Sequence, residues 1–90
     1  MDHVTSSVNH VISRLKGNIE YTVERDTITN TRWMIQVRNR DIPNTLLEVE
    51  ILQREGNYIG CVLQKVNVGR SVMVRFMDKL MDELEDPKPT

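Results

Sequence analysis

A strand, a tight turn, a second strand and a long helix follow one another over residues 46–84, and no other stretch constrains the fold as much. Leu47, Val49 and Ile51 alternate with glutamates, which is the two-residue period of a strand with one buried face. A short polar segment around Gly56 comes next, and glycine adopts a positive φ at little steric cost. The pattern predicts a β-hairpin whose first strand buries its aliphatic face.

The second half of this stretch predicts a strand over residues 58–68 and then an amphipathic helix. Gly69 closes the strand, and Ser71 offers a side-chain oxygen that can cap the helix. Apolar residues then recur at spacings of three and four, which places them on one helical face. They are Met73, Phe76, Met77, Leu80 and Leu84. We expect this face to pack on the sheet.

The first part of the chain predicts another helix and two further strands. Thr5 or Ser6 can cap the helix and Gly17 can end it. Its apolar residues have the spacing i, i+3, i+4, i+7, and they are Val8, Val11, Ile12 and Leu15. Alternation predicts strands over residues 19–25 and 33–38, joined by a polar loop.

The predicted fold class is therefore α+β: a helix, a four-stranded antiparallel meander and a C-terminal helix. Short connections favour antiparallel pairing of successive strands. Both helices are expected on one face of the sheet, which leaves the other face to solvent or a partner. We expect a single domain over residues 1–86 and a disordered, proline-containing tail over residues 87–90.

Charge and cysteine content narrow the functional classes. The 90-residue chain has a formal net charge of −1, which makes nucleic-acid binding unlikely on electrostatic grounds, because such binding depends on many cationic contacts to phosphates. The single cysteine, Cys61, has no partner within the chain, so the sequence favours a reducing compartment and predicts a small buried residue. No apolar run is long enough to span a membrane. We expect a cytoplasmic protein, peripheral to a membrane at most.

The sequence contains no recognisable catalytic motif or metal-ligand set. His3 and His10 are two candidate ligands, whereas zinc sites need at least three protein ligands. Glu48 and Glu50 share a strand face on which both are solvated, and an acid–base pair needs one desolvated member. We therefore expect a binding domain with no enzymatic activity, cofactor or metal.

Basic residues around the start of the last helix are the first candidate binding site. This predicted basic cluster can hold anionic lipid headgroups or an acidic patch on a protein. It comprises Lys65, Arg70, Arg75 and Lys79. The alternative is a solvated surface with the intrahelical pairs Arg75–Asp78 and Lys79–Glu83.

Arginines of the second strand are a further candidate, on the face of the sheet that the helices leave open. They are Arg32, Arg38 and Arg40. If the second and third strands are neighbours, cross-strand pairs with Glu48 and Glu50 are the simpler interpretation of these charges.

Two further functions fit an open sheet face. Tyr21, Trp33 and Tyr58 could stack on unpaired bases, as in single-stranded RNA-binding modules, but Trp33 and Phe76 are also needed for the core. Alternatively, the chain is a small stand-alone inhibitor of a viral or phage type, which binds a host factor through this face.

The chain also resembles a known regulatory domain over nearly its whole length. The glutamate-alternating strand 47–51, the segment 65–69 with its lysine and glycine, and the closing amphipathic helix are similar to the C-terminal kinase-associated domain of serine/threonine kinases. That family includes microtubule-affinity-regulating, AMP-activated, checkpoint and calcineurin-B-like-interacting kinases. The helix at residues 8–15 and the strand at 33–38 resemble the earlier part of the same domain.

The resemblance implies a non-catalytic regulatory domain that restrains a kinase domain in cis, docks a protein partner or binds acidic phospholipids. Lipid-binding members carry paired basic residues before the glycine, whereas Lys65 lies between Gln64 and Val66. Surface cations contribute about 1 kcal/mol each to anionic-membrane binding, so we expect protein docking with weak lipid binding at most. The exposed strand edges of such a sheet predict a monomer or a weak dimer.

Overall fold

The computed structural model describes residues 2–85 and confirms the predicted α+β order of a helix, four strands and a helix. The predicted tail, residues 87–90, lies outside the described residues. The elements are α1 (His3–Ser13), β1 (Ile19–Arg25), β2 (Arg32–Asn39), β3 (Leu46–Arg54), β4 (Asn57–Val66) and α2 (Arg70–Glu85).

Helix α1 begins earlier than predicted, because Asp2 and not Thr5 or Ser6 is its N-cap. Asp2 has an extended backbone, and its carboxylate accepts a hydrogen bond from the Thr5 N–H at 2.8 Å. Thr5 and Ser6 therefore lie inside the first turn, and the predicted cap is wrong. A carboxylate in this position satisfies a backbone donor that has no partner within the helix.

The four strands form one antiparallel sheet in the order β1-β2-β3-β4, which makes β1 and β4 its edges. The β3–β4 turn is the predicted one, with positive φ at both Glu55 (53°) and Gly56 (82°), as in the two-residue hairpin turns that match strand twist. One extra residue at Leu63 shifts the register, so that Val62 lies opposite Val49 and Gln64 opposite Glu48.

Both helices cover the same face of the sheet, and the core lies between the layers. Trp33 and Phe76, which the sequence assigned to the core, are 2% and 3% exposed. The residues of α2 that are buried are the predicted Phe76, Leu80 and Leu84. The buried sheet residues alternate along β2 and β3, and they are Trp33, Ile35, Val37, Leu47, Val49 and Ile51.

Helix α2 begins at Arg70, so Ser71 is its second residue and not its cap. The Gly69 carbonyl accepts a hydrogen bond from the Met73 N–H at 3.0 Å, which places Gly69 at the N-cap position without a side chain to cap the helix. Further along, α2 passes close over β4: a Cβ at Gly60 would lie 2.9 Å from both Met77 Cε and Met81 Sδ. A larger residue there would have to displace the flexible ends of these two methionines.

Cys61 is exposed on the open face of the sheet, so the prediction of a buried cysteine is wrong. Its neighbours Gly60 and Val62 face the helices, and side chains alternate between the two faces of a strand. Apolar character alone did not reveal that β4 is an edge whose second face has no covering layer.

Candidate functional site

A groove of about 600 Å³ opens at the end of the sheet where α1 ends and α2 begins. The start of β3, the end of β2 and the β4–α2 connection close its other sides. We call it the basic groove, and we define it by its lining residues: Arg14, Leu15, Lys16, Ile19, Val37, Arg38, Asn39, Ile42, Thr45, Leu47, Asn67, Val68, Gly69, Val72, Arg75, Phe76 and Lys79.

The floor of the basic groove is apolar and continuous with the hydrophobic core. Val37, Leu47 and Phe76 line it and are themselves core residues, while Leu15 and Val68 are partly buried against the core. A ligand that enters the groove can therefore place an apolar group against a preformed surface.

The rim of the basic groove is cationic. Five of the lining residues are lysines or arginines and none is an aspartate or glutamate. Within residues 2–85 the acid–base contacts at 4 Å or less are His10–Glu83, Arg32–Glu50 and Arg40–Glu20, and none of them uses a rim cation. The five rim cations are Arg14, Lys16, Arg38, Arg75 and Lys79.

The charges of α2 run against the preference of its own dipole. A helix N-terminus favours acids and a C-terminus favours bases, yet the first turn of α2 has no acid and its last turn no base. Arg70 and Arg75 stand near the N-terminal end, which Gly69 leaves without a side-chain cap. An anion bound at this end would interact favourably with both the dipole and the side chains.

The structure brings together part of the predicted basic cluster. Arg75 and Lys79 line the basic groove, and Arg70 joins them around a shallow depression of about 700 Å³ on the outer side of α2. Lys65 lines neither, and its Nζ donates a hydrogen bond to the Val68 carbonyl at 3.1 Å.

The predicted intrahelical pairs Arg75–Asp78 and Lys79–Glu83 are not formed among the described residues. Glu83 instead contacts the ring Nδ1 of His10 on α1. The tertiary packing of the two helices, which the spacing along α2 does not contain, redirects this carboxylate.

The arginines predicted for the second strand divide between internal pairs and the groove, and Arg40 lies just beyond the end of β2. Arg32 pairs with Glu50 of β3 at 2.6 Å, as expected from cross-strand neighbours. Arg40 pairs at 2.7 Å with Glu20 on β1, not with a β3 glutamate. Arg38 borders the basic groove, and it also lies opposite Glu20 of β1 and lines a small depression with that glutamate.

Sequence reasoning missed Arg14 and Lys16 as site residues, and it missed the apolar floor. The only signal was a pair of cations just before the helix-ending Gly17, which is also explained by the α1 dipole. These residues are more than fifty positions from Arg75, so only the packed fold shows that they share a rim.

At the opposite end of the strands, the start of α1 contacts the last turn of α2. We call this region the closed end, and it comprises Asp2, His3, Arg25, Trp33, Tyr58 and Leu84. His3 Nε2 lies 3.2 Å from the Leu84 carbonyl oxygen. The rings of His3 and Tyr58 are 5.8 Å apart, and the Arg25 guanidinium lies 5.1 Å from the Trp33 ring centre. Aromatic and cation–π contacts of this kind stabilise folds modestly.

The Asp2 carboxylate belongs to the closed end, and its pKa lies below the usual value. Burial raises its pKa. Hydrogen bonds from Thr5, the proximity of the Trp33 side chain and the positive charge of Arg25 together lower the pKa by more than burial raises it. The buried Nε1–H of Trp33 has no hydrogen-bond partner of good geometry among the described residues. The pKa of Asp26 is also lowered, mainly by hydrogen bonds from the Ile28 and Thr29 N–H groups.

The side chains considered for base stacking face the helices. Tyr21, Trp33 and Tyr58 share the helix-covered side of the sheet, and Tyr21 donates a hydrogen bond to Asn9 Oδ1 of α1 at 2.7 Å. The open face thus has no aromatic side chain on its described strands. The described strands therefore offer no aromatic ring on this face on which a base could stack.

No group of three or more potential metal ligands occurs within residues 2–85. In the same range, neither helix has the length and apolarity needed to cross a bilayer.

No protein-family model, curated protein or solved structure matches the chain.

Proposed function

We propose that this chain is a non-catalytic regulatory domain that docks an acidic, partly apolar segment of a protein partner in the basic groove. The observation that carries the proposal is the composition of the groove: five cations and no carboxylate surround an apolar floor. Such a site complements a ligand that presents negative charge at its edges and an apolar side chain at its centre.

The charges of the groove favour an external partner over an internal one. Cations within a Debye length of one another repel, and none of the rim cations forms an ion pair at 4 Å or less within residues 2–85. Asp78 and Glu20 lie beside the rim and offset its charge only in part. An incoming acidic segment supplies the remaining negative charge and gains speed of association from it. The resemblance of the sequence pattern to kinase-associated domains favours a kinase domain as the partner, in cis or in trans. The single cysteine favours a reducing, cytoplasmic setting.

The test is a binding titration with a fluorescein-labelled peptide in which glutamates flank a leucine–phenylalanine pair. A peptide with lysines in place of the glutamates is the charge control. We expect saturable binding of the acidic peptide that weakens as salt is added, because exposed charges are screened.

Matched variants locate the binding. Arg75→Glu with Lys79→Glu reverses two rim charges and should weaken binding about tenfold. The control, Arg32→Glu with Arg54→Glu, makes the same change in net charge at exposed positions outside the groove. Equal losses in both variants would mean nonspecific attraction, and no loss in either would remove the groove from consideration.

A third variant separates the floor from the rim. Val68→Trp enlarges a partly buried residue of the floor without changing charge. If the partner inserts an apolar side chain, this variant weakens the acidic peptide as strongly as the charge reversal does. Unchanged affinity would show that the apolar floor does not contribute and that the peptide binds through the surface charges alone.

An anionic phospholipid surface is a second candidate, favoured by two exposed aliphatic side chains on the groove. Ile42 is 44% and Val72 59% exposed, and both stand among the rim cations. Apolar side chains beside cations can enter the headgroup region of an acidic membrane. Sedimentation with phosphatidylcholine vesicles, with and without phosphatidylserine, tests this, and Ile42→Asp with Val72→Asp should abolish it.

A further inference from the structure

The two edges of the sheet differ in charge. Edge strand β1 has seven residues and carries Glu20, Glu24 and Arg25. Edge strand β4 has ten residues, and its only charged side chain is Lys65. Natural proteins protect edges with charges and prolines, because free N–H and C=O groups there can pair with another strand. By the criterion of charge β1 is protected, whereas β4 has only its bulge at Leu63 as protection, and the regular segment before that bulge is open to pairing.

Exposed apolar side chains accompany the β4 edge. Ile59 is 48% and Leu63 46% exposed, and Cys61 between them is also exposed. On the other side of the sheet, Met77 and Met81 lie against Gly60 and are only partly buried. A strand added to this edge would therefore meet apolar surface on both of its faces, and methionine adapts readily to such contacts.

We propose that β4 pairs antiparallel with the β4 strand of a second copy of this chain, so that the two sheets become one continuous sheet around a two-fold axis. This inference is independent of the function proposed for the basic groove. The interface is isologous, with the same residues contributed by both copies, and it closes at the dimer.

The sequence of β4 complements itself. With the axis at Cys61, Gly60 lies opposite the second copy's Val62 and Ile59 opposite its Leu63, where the bulge ends the regular segment. Lys65, the one charged residue of β4, lies beyond that bulge. No like charges meet. The same operation on β1, with the axis at Thr22, would place Glu20 opposite Glu24 and is disfavoured. Charge thus selects a second copy at β4 and excludes the equivalent pairing at β1.

Analytical ultracentrifugation of the whole chain under reducing conditions tests the proposal. We expect the mass to rise from 10.5 kDa towards twice that value between micromolar and millimolar concentration. Because Cys61 is the only cysteine, a short bismaleimide should link two copies. The two Cys61 residues face each other at the axis, and their thiols lie within about 8 Å. A monomer at every concentration would overturn the proposal. It would do so even if β4 then proved to pair with a strand of another protein.

A charge swap supplies the specific control. Cys61→Lys and Cys61→Glu should each be monomeric, because like charges face each other at the axis, and an equimolar mixture of the two should regain the dimer. Thr22→Lys and Thr22→Glu place the same charges at the centre of β1 and should leave the dimer of the parent chain unchanged. Far-ultraviolet circular dichroism verifies folding of each variant. A dimer that persists in both Cys61 variants, or that the Thr22 variants abolish, would contradict pairing through β4.

Discussion

The two ends of the sheet differ in whether their polar side chains have partners within the molecule. At the closed end, Asp2 caps α1, His3 reaches the Leu84 carbonyl and Arg25 covers Trp33, so the polar groups find partners within the molecule. At the basic groove, five cations line one cavity and no carboxylate joins them. Both ends rest on the same core.

The difference indicates which charges serve the fold and which are available to a ligand. Paired polar groups stabilise the native state modestly, and removing one partner is costly where the other is buried. Clustered cations near a helix N-terminus lower helix stability. The closed end therefore contributes to folding, whereas the rim of the basic groove is expected to reduce stability slightly and to contribute to binding.

The largest expected effect comes from the residue that links the groove to the core. Phe76→Ala should lower the free energy of unfolding by about 3–5 kcal/mol, because it removes a buried aromatic ring and leaves a cavity. Urea denaturation followed by the fluorescence of Trp33, the only tryptophan, measures this loss.

Val74→Ala is the control for Phe76→Ala, since Val74 lies on the exposed side of the same helix. Its effect should stay within about 0.5 kcal/mol. A loss below about 1 kcal/mol for Phe76→Ala would mean that the floor of the groove is not part of the core, and the two ends would then not share one hydrophobic layer.

An intermediate effect is expected at the closed end. Asp2→Ala should lower the free energy of unfolding by about 0.5–2 kcal/mol at neutral pH through loss of the N-cap. The pKa of Asp2 in the folded protein is below the ordinary 3.8, so its ionised form stabilises the fold above that pH. This contribution is lost as the pH falls through the folded-state pKa.

The measurement is the stability difference between parent and Asp2→Ala across the acid range, which should shrink as the solution is acidified. Taking the difference removes Asp26, whose lowered pKa acts in the same direction in both proteins. Asp2→Asn retains a capping oxygen and should lose only the pH-dependent part. A difference that is constant with pH would show that the charge of Asp2 has no role at the closed end.

The smallest effect should have the opposite sign and occur at the N-terminus of α2. Arg70→Glu is expected to raise the free energy of unfolding by about 0.3–1 kcal/mol, because it places an acid where the helix dipole favours one. Arg54→Glu makes the same change on a strand and should be nearly neutral. Destabilisation by Arg70→Glu in thermal or urea unfolding would instead show that Arg70 has a role within the fold, which would weaken the contrast between the two ends.

Much of the fold was predictable because the periods of two and 3.6 residues report burial directly. They gave the element order, the hairpin at Gly56 and the buried stripe that contains Phe76 and Leu80. Cap positions were missed, since Asp2, Thr5 and Ser6 are all chemically competent caps and packing selects among them. The exposure of Cys61 was missed because alternation does not say whether a strand's second face is covered.

The candidate site was only half visible in the sequence. Arg75 and Lys79 are neighbours on one helix, so their spacing predicted them together. Arg14, Lys16 and Arg38 come from other elements, and the pairing of Glu83 with His10 depends on how α1 packs on α2.

By itself the sequence determined which residues form helices and strands and which side of each element is apolar, because these depend on neighbours along the chain. Only the tertiary structure decided that the two helices meet at one end of the sheet, that a cation-rimmed cavity stands at the other, and that β4 is an edge. These features depend on contacts between residues far apart in sequence, and local periodicity contains no information about such distances.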